Sequence, residues 1–234
     1  MLQAESLLLL WFLFSERWVM KVSWLRRLWV MICSSGISFY ASRLNRLNVV
    51  GAGNIPARGG VLLLSNHISA YDTVLLLAAV QQKFPWQMLW APAKEELFKN
   101  PLLGAIFRSW GAFPVRRGRD MKAGKRLGLL LETEKVMLFP EGTRHRDGRL
   151  GKGNRGVGKL IYEHRPVVVP TSLSGINHWK VKKTGQRGVV RFGEPIDFTD
   201  LFAREDNKET HTLIVERAMA AIAAGLQAND ADDA

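Results

Sequence analysis

The sequence predicts an α/β fold in which a largely parallel (mixed) central sheet is flanked by helices. Two observations favour this class. From residue 46 onward, short apolar runs alternate with segments of helix length, and strands separated by helices imply a largely parallel sheet covered on both faces. In addition, a chain of 234 residues that is 47% hydrophobic can bury one substantial core, and no linker rich in proline or serine divides it.

Hydrophobic period and turn residues predict the individual elements. Seven strands are predicted, over residues 47–50, 61–64, 86–91, 112–115, 136–139, 167–173 and 189–192. Five helices are predicted, over residues 73–80, 95–108 with a break at Pro101, 120–133, 157–163 and 209–226. The chain therefore divides into an N-terminal helical segment over 1–45, one α/β domain over 46–227, and a small acidic C-terminal tail over 228–234 that we expect to be disordered.

The N-terminal segment has the composition of helices at a membrane surface. Indole and basic side chains are interleaved in it: Trp11, Arg17, Trp18, Lys21, Trp24, Arg26, Arg27 and Trp29. This mixture is typical of the membrane–water interface. The charge-free runs 6–15 and 28–42 are shorter than the roughly 18 residues that a spanning helix needs. We therefore expect a monotopic pair of amphipathic, membrane-docking helices; a signal anchor, a true span and a helix packed on the core stay open as alternatives.

The charge of the chain indicates an anionic partner. The net charge is +12, and between residues 108 and 165 there are 15 Lys or Arg residues against 6 Asp or Glu. Nucleic acid, phospholipid head groups and a phosphorylated small substrate all suit such a positive field. The single cysteine, Cys33, excludes an intramolecular disulfide and a metal site built from cysteines. The five histidines lack paired metal-ligand spacing, so we expect no metal.

A histidine and an aspartate beyond the predicted strand 61–64 form a candidate acid–base pair. His67 follows this strand at its carboxyl end, where open α/β sheets gather their chemistry. On one regular helix Asp72 would point about 140° away from His67, so the two can pair only if His67 lies in a loop and Asp72 opens the next helix. In that arrangement His67 can take a proton from a hydroxyl. A plain N-cap role for Asp72 is the alternative.

The sequence does not support nucleotide binding or covalent catalysis. Residues 151–156 spell GxGxxG, but no strand precedes them. Residues 153–159 spell GxxxxGK, but Leu160 follows where a Mg-nucleotide site needs a hydroxyl. The chain has no GxSxG elbow and no cysteine beside a histidine, so a covalent acyl-enzyme has no obvious nucleophile.

Four ordered blocks match a known family. They are NHxxxxD at residues 66–72, Gly-x-x-x-x-Arg at 111–116, FPEGTR at 139–144 and a Val-Pro block at 168–170. Their order and spacing cover roughly residues 50 to 195. The chain resembles the glycerolipid acyltransferases, and specifically the 1-acyl-glycerol-3-phosphate (lysophosphatidic acid) acyltransferases. It departs from the family at His145, where a serine is common.

The resemblance implies transfer of a fatty acyl group from an acyl thioester to the free sn-2 hydroxyl of lysophosphatidic acid, which gives phosphatidic acid. It makes His67 the general base and Asp72 the carboxylate that holds its tautomer. It implies that the acceptor phosphate and glycerol are bound by Lys94, Arg116, Glu141, Gly142, Thr143 and Arg144. Acyl-CoA or acyl-carrier protein is the implied co-substrate, with no cofactor.

The resemblance also narrows the partners and the location. It implies a lysolipid acceptor, contact with a membrane surface through the N-terminal helices, and no nucleic acid. The expected location is the cytoplasmic face of a membrane, with monotopic or peripheral attachment. Acceptors such as another lysophospholipid, glycerol 3-phosphate or a lyso-aminolipid stay open, because relatives with these acceptors share the four blocks. A non-catalytic basic protein that binds acidic membranes or nucleic acid is the alternative from a different class.

Overall fold

The computed structural model describes residues 22–116, 121–180 and 182–232, and within these ranges seven strands form one sheet. The strands are β1 (Arg46–Val50), β2 (Val61–Ser65), β3 (Leu89–Lys94), β4 (Ala112–Val115), β5 (Lys135–Leu138), β6 (Val167–Ser174) and β7 (Arg187–Phe192). Their spatial order is β1-β7-β6-β2-β5-β3-β4. All neighbours pair in parallel except β6 and β7, which are antiparallel. The predicted α/β class with a mixed sheet is confirmed.

Helices connect and cover the strands. They are α1 (Trp24–Phe39), α2 (Asp72–Lys83), α3 (Pro101–Ser109), α4 (Met121–Leu130), α5 (Arg155–His164), α6 (Thr199–Phe202) and α7 (Lys208–Asp232). A π-helical turn, Tyr40–Leu44, extends α1. Three 3-10 turns, Ala52–Asn54, Glu95–Phe98 and Ile176–His178, complete the regular structure of the described residues.

The central strand β2 sets the geometry of the core. All five of its residues are buried, because β5 and β6 flank it in the sheet and helices cover both faces. Strands β2 to β6 are mutually parallel, so their carboxyl ends lie at one edge of the sheet, which we call the carboxyl edge. Any chemistry that uses residues after these strands is therefore gathered at this edge.

In the middle of the chain one predicted break is confirmed and one predicted boundary is corrected. The segment predicted as helix over 95–108 is divided at the predicted position, into the 3-10 turn Glu95–Phe98 and the helix α3, which begins at Pro101. The division occurs because Asn100 caps α3, its side chain accepting from the Leu103 N–H at 3.0 Å, and Pro101 fits the first turn. The strand predicted from residue 86 begins at Leu89 instead, because Trp86 lies in an exposed turn.

The C-terminal expectation is wrong for residues 228–232. Helix α7 continues to Asp232 instead of ending near residue 226. The reason is a buried polar contact: the Arg191 Nε on β7 donates to the Asn229 side chain at 2.7 Å, and Asn229 is only 1% exposed. This contact fixes the last turns of α7 against the sheet. Residues 233 and 234 lie outside the described residues.

The described part of the N-terminal segment is the helix α1, which packs against α2. One face carries the buried residues Val30 and Ser34. The opposite face is apolar and exposed, and its residues are Trp24, Leu25, Trp29, Ile32 and Phe39. No helix among the described residues is long and apolar enough to cross a bilayer. The first helix of the predicted pair, with Trp11 and Trp18, lies outside the described residues.

Candidate active site

The loop that follows β2 is held to the neighbouring strand by Asn66. Its side-chain amide donates to the Leu173 carbonyl at 2.9 Å and accepts from the Leu173 N–H at 2.8 Å. The last residue pair of the β2–β6 ladder is Ser65 with Thr171. The Asn66 side chain thus continues the ladder beyond the point where the backbone turns away, and fixes the position of His67.

His67 and Asp72 are paired as the five-residue spacing predicts. The His67 Nδ1 lies 2.7 Å from the Asp72 Oδ2, with His67 in the loop and Asp72 as the first residue of α2. The same carboxylate oxygen accepts the backbone N–H groups of Ile68 and Ser69, at 2.7 and 2.8 Å. Asp72 therefore bonds to the loop before its helix, and the N-cap position belongs to Tyr71.

This pairing assigns the tautomer of His67. An ionised carboxylate only accepts hydrogen bonds, so the Nδ1 carries the proton and the Nε2 presents a lone pair. The Asp72 side chain is fully buried and the His67 side chain is 16% exposed, so the pair is sheltered while the ring keeps a solvent-facing part. Phe139 stacks on the imidazole with ring centroids 4.0 Å apart. The histidine is held in one orientation and can accept a proton at the Nε2.

Glu141, in the turn after β5, joins three loops of the site. Its side chain is fully buried. The Oε1 accepts the His67 N–H at 2.8 Å, and the Oε2 accepts the Gly151 N–H at 2.6 Å. The His145 N–H donates to the His67 carbonyl at 2.7 Å, and the His145 Nε2 lies 3.4 Å from the Glu141 Oε2. In the structure Glu141 positions His67; its expected contact with the acceptor stays a prediction.

Residues 142–144 of the FPEGTR turn are open to solvent. Gly142 has a φ of +65° and its N–H donates to the Phe139 carbonyl at 3.1 Å, which closes the turn. An added Cβ at Gly142 would meet no neighbouring atom, so the backbone conformation, not crowding, favours glycine. Thr143 and Arg144 follow as exposed residues at the carboxyl edge.

Lys94 and Arg116 lie farther along the same edge. Lys94 ends β3, pairs in register with Val115 of β4 and is exposed. Arg116 directly follows β4 and forms a two-point ion pair with Glu95, with the Nε 2.9 Å and the Nη2 3.3 Å from the two carboxylate oxygens. Strand β4 is three strand spacings from β2, about 14 Å. The structure thus brings the predicted residues to one edge without direct contact between His67 and Arg116.

A comparison with protein families identifies a domain that contains this site. A family model described as Acyltransferase matches residues 46–174, which is more than half of the chain and includes the four blocks. The chain belongs to the acyltransferase family. This assignment places the His67 loop, the FPEGTR turn and the Val-Pro block inside one family domain.

Individual relatives of this acyltransferase carry specific names. It is 30% identical over 153 residues to a chloroplastic 1-acyl-sn-glycerol-3-phosphate acyltransferase of Arabidopsis thaliana, covering 63% of this chain and 41% of the relative. It is 28% identical over 187 residues to the 1-acyl-sn-glycerol-3-phosphate acyltransferase of Bacillus subtilis, covering 79% of this chain and 90% of the relative. The chain spans about half the length of the Arabidopsis relative and of two further curated relatives, from Brassica napus (46%) and Borreliella burgdorferi (54%).

A solved structure shares the fold of this acyltransferase. The crystal structure of the 1-acyl-sn-glycerophosphate acyltransferase from Thermotoga maritima superposes with a TM-score of 0.59 at 24% identity. The match covers 82% of this chain and 80% of that chain. The likeness shows that the two proteins have the same arrangement of sheet and helices.

Sequence reasoning missed two positioning contacts of this acyltransferase. Asn66 stands in the first block, and its position directly after a buried strand was the available signal for a loop anchor. The bond from the Gly151 N–H to Glu141 had no such signal, since Gly151 belongs to a rejected GxGxxG pattern. The described residues contain no group of three or more His, Cys, Asp or Glu side chains that could hold a metal ion.

Proposed function

We propose that this chain transfers a fatty acyl group from an acyl thioester to the free sn-2 hydroxyl of lysophosphatidic acid, giving phosphatidic acid. The observation that carries the proposal is the 2.7 Å pair between the His67 Nδ1 and the buried Asp72, which leaves the Nε2 as a proton acceptor. The names of the acyltransferase relatives support the acceptor.

His67 acts as general base in the proposed mechanism. The acceptor hydroxyl attacks the thioester carbonyl while the His67 Nε2 takes its proton, so a C–O bond forms directly and no acyl-enzyme is needed. Asp72 stabilises the imidazolium that forms. When the tetrahedral intermediate collapses, the C–S bond breaks and the imidazolium returns its proton to the leaving thiolate. Base catalysis of this kind contributes on the order of 10² to 10⁴ in rate.

The basic side chains at the carboxyl edge support a phosphate-bearing acceptor. Lys94 ends β3, Arg116 and Arg144 follow β4 and β5, and all three are exposed at this edge. Guanidinium groups bind phosphate oxygens at two points, which fixes the ligand in direction as well as in place. We propose that these three residues hold the acceptor phosphate. Gly142 and Thr143 are proposed to contact the glycerol, because they lie beside Arg144 in the same exposed turn.

We propose further that the chain docks on a membrane through the exposed apolar face of α1. This face continues toward α3, because the Trp29 Nε1 donates to the Ser109 hydroxyl at 3.0 Å and the Arg26 Nε donates to the Ser109 carbonyl at 2.9 Å. Leu102 and Leu103 at the other end of α3 are also exposed. Apolar side chains flanked by arginines suit an anionic lipid surface.

The assay that tests the activity is acyl transfer to a panel of acceptors in mixed micelles, with acyl-CoA and acyl-carrier protein as alternative donors. The panel contains lysophosphatidic acid, other lysophospholipids, glycerol 3-phosphate and a lyso-aminolipid. We expect transfer to lysophosphatidic acid, lost in His67→Ala and kept in His178→Ala, which changes an exposed histidine. Transfer to a different acceptor would replace lysophosphatidic acid by that acceptor in the proposed function. Transfer that survives His67→Ala, or no transfer to any acceptor, would contradict the proposed chemistry.

The docking proposal is tested with anionic vesicles and sedimentation. Ile32→Glu changes a side chain that is 58% exposed on the apolar face of α1, and we expect it to weaken binding several-fold. Val167→Glu is the matched control, since Val167 is 40% exposed at the start of β6. Equal binding of the two variants would contradict docking through α1.

A further inference from the structure

The ion pair between Arg116 and Glu95 occupies one of the two guanidinium edges through which Arg116 can bind a phosphate. The Arg116 Nε and Nη2 form one edge of the guanidinium, and both donate to the Glu95 carboxylate, at 2.9 and 3.3 Å. Phosphate oxygens bind a guanidinium through the same kind of two-nitrogen edge. One edge holds one such ligand at a time, so Glu95 and a phosphate compete for it.

The Glu95 carboxylate can leave Arg116 at low cost. Arg116 is 78% and Glu95 is 51% exposed, so water screens the attraction and an exposed pair of this kind contributes little to stability. Glu95 begins the 3-10 turn Glu95–Phe98, and the described residues give its carboxylate no hydrogen-bond donor other than Arg116. The carboxylate can therefore leave without breaking a second contact.

The charges favour replacement of Glu95 by a phosphate at Arg116, but this replacement still costs free energy. A phosphate monoester carries about 1.5 to 2 negative charges near neutral pH, against one on Glu95, so it forms the stronger contact with a guanidinium. The ligand must nevertheless displace the carboxylate, and this displacement lowers its apparent affinity. Removing the carboxylate would therefore tighten phosphate binding.

We propose that Glu95 competes with the acceptor phosphate for Arg116, and that this competition determines the affinity of the site for phosphate-bearing acceptors. The inference rests on the proposed function for the identity of the acceptor. It goes beyond that proposal by making an acidic residue, one position after the predicted ligand Lys94, a determinant of the acceptor KM. Glu95 acts through Arg116 and takes no part in the chemical step.

The test compares Glu95→Gln with Glu96→Gln at constant ionic strength. Both variants remove one negative charge from the same exposed turn, but of these two glutamates Glu95 alone has an ion-pair partner among the described residues. We expect Glu95→Gln to lower the KM for lysophosphatidic acid about two- to five-fold with kcat unchanged, as suits the loss of an exposed pair. Glu96→Gln is expected to change it less than Glu95→Gln does.

A binding titration with inorganic phosphate keeps the inference separate from the proposed activity. The full chain is titrated as wild type, Glu95→Gln, Arg116→Gln and the double variant. We expect tighter phosphate binding in Glu95→Gln, and no effect of Glu95→Gln in the Arg116→Gln background. If the wild type transfers no acyl group, the proposed function fails, but the titration still tests the competition between Glu95 and phosphate. Equal effects of the two glutamate variants, or weaker phosphate binding in Glu95→Gln, would overturn it.

Discussion

Two regions of the carboxyl edge differ in the way they hold their functional side chains. At the end of β2, His67, Asp72 and Glu141 are tied together by short hydrogen bonds, and both carboxylates are fully buried. At the ends of β3 and β4, Lys94 and Arg116 are exposed. The buried part of the site is therefore fixed before a ligand binds, and the exposed part can adjust to the ligand. A proton acceptor needs one geometry, whereas a clamp for a charged head group can adapt to its ligand.

We expect the strongest loss of activity when the charge of Asp72 is removed and its shape is kept. The Asp72 Oδ2 accepts all of the hydrogen bonds of this carboxylate, and the Oδ1 has no partner among the described residues. Asn in place of Asp can keep its oxygen at the Oδ2 position, so Asp72→Asn isolates the electrostatic role. We expect kcat to fall on the order of 10² to 10⁴ because the imidazolium loses its counter-charge.

The measurement is kcat and acceptor KM for Asp72→Asn, with the thermal unfolding temperature as the control for folding. A loss of kcat with a nearly native Tm assigns the effect to charge. A full rate in this variant would show that Asp72 is only a loop anchor and that its charge has no role in catalysis.

Glu141→Gln is expected to have the next largest effect. The glutamine presents one NH2 group where Glu141 has an acceptor, so either the His67 N–H or the Gly151 N–H loses its partner. A buried unsatisfied donor costs about 1 to 3 kcal/mol. We expect this loss in the free energy of unfolding, together with a fall in kcat of about ten-fold, because a misplaced base transfers protons poorly.

Kinetics of this variant separate two roles of Glu141. If Glu141 positions His67, kcat falls and the acceptor KM changes little. If Glu141 binds the glycerol hydroxyl, the acceptor KM rises instead. Steady-state rates over a range of lysophosphatidic acid concentrations distinguish these outcomes, and urea unfolding measures the stability change.

A smaller effect is expected at the exposed region. Arg144 is exposed in the turn after β5, so Arg144→Gln removes a phosphate contact without disturbing the core. We expect the acceptor KM to rise about ten-fold with an unchanged Tm, as for a lost charged hydrogen bond. Arg146→Gln is the matched control, because Arg146 is also exposed two residues away. A fall in Tm, or an equal rise in KM for Arg146→Gln, would contradict the division between a buried base and an exposed clamp.

The two regions also differed in how much the sequence revealed. The spacing of His67 and Asp72 predicts their pairing, because only a loop followed by a helix start brings them together. The family resemblance implies that Lys94, Arg116 and Arg144 bind one acceptor, and the structure shows that all three lie at the carboxyl edge. In contrast, the positioning role of Glu141 depends on the His67 N–H, 74 residues away, and no local pattern encodes such a contact. The length of α7 was missed for the same reason, since Arg191 and Asn229 are 38 residues apart.

A second arginine–carboxylate ion pair at the surface serves as a reference for Arg116, and its removal is expected to change the protein least. Arg217 donates to the two oxygens of Asp200 at 2.5 and 2.7 Å, and this contact lowers the pKa of Asp200 to about 2. A lowered carboxyl pKa stabilises the fold above the ordinary value of 3.8, and the contribution is lost as the pH falls through about 2. For Arg217→Gln we expect the Tm to fall by less than about 3 °C at pH 7, and the part of this difference that comes from Asp200 to be lost as the pH falls through about 2. The bond from the Arg217 Nη1 to the Asp197 carbonyl does not depend on pH and accounts for any difference that remains. Thermal unfolding at several pH values checks this. A large fall at pH 7 would show that exposed arginine–carboxylate pairs in this protein contribute strongly to stability. Displacement of Glu95 from Arg116 by phosphate would then be costly.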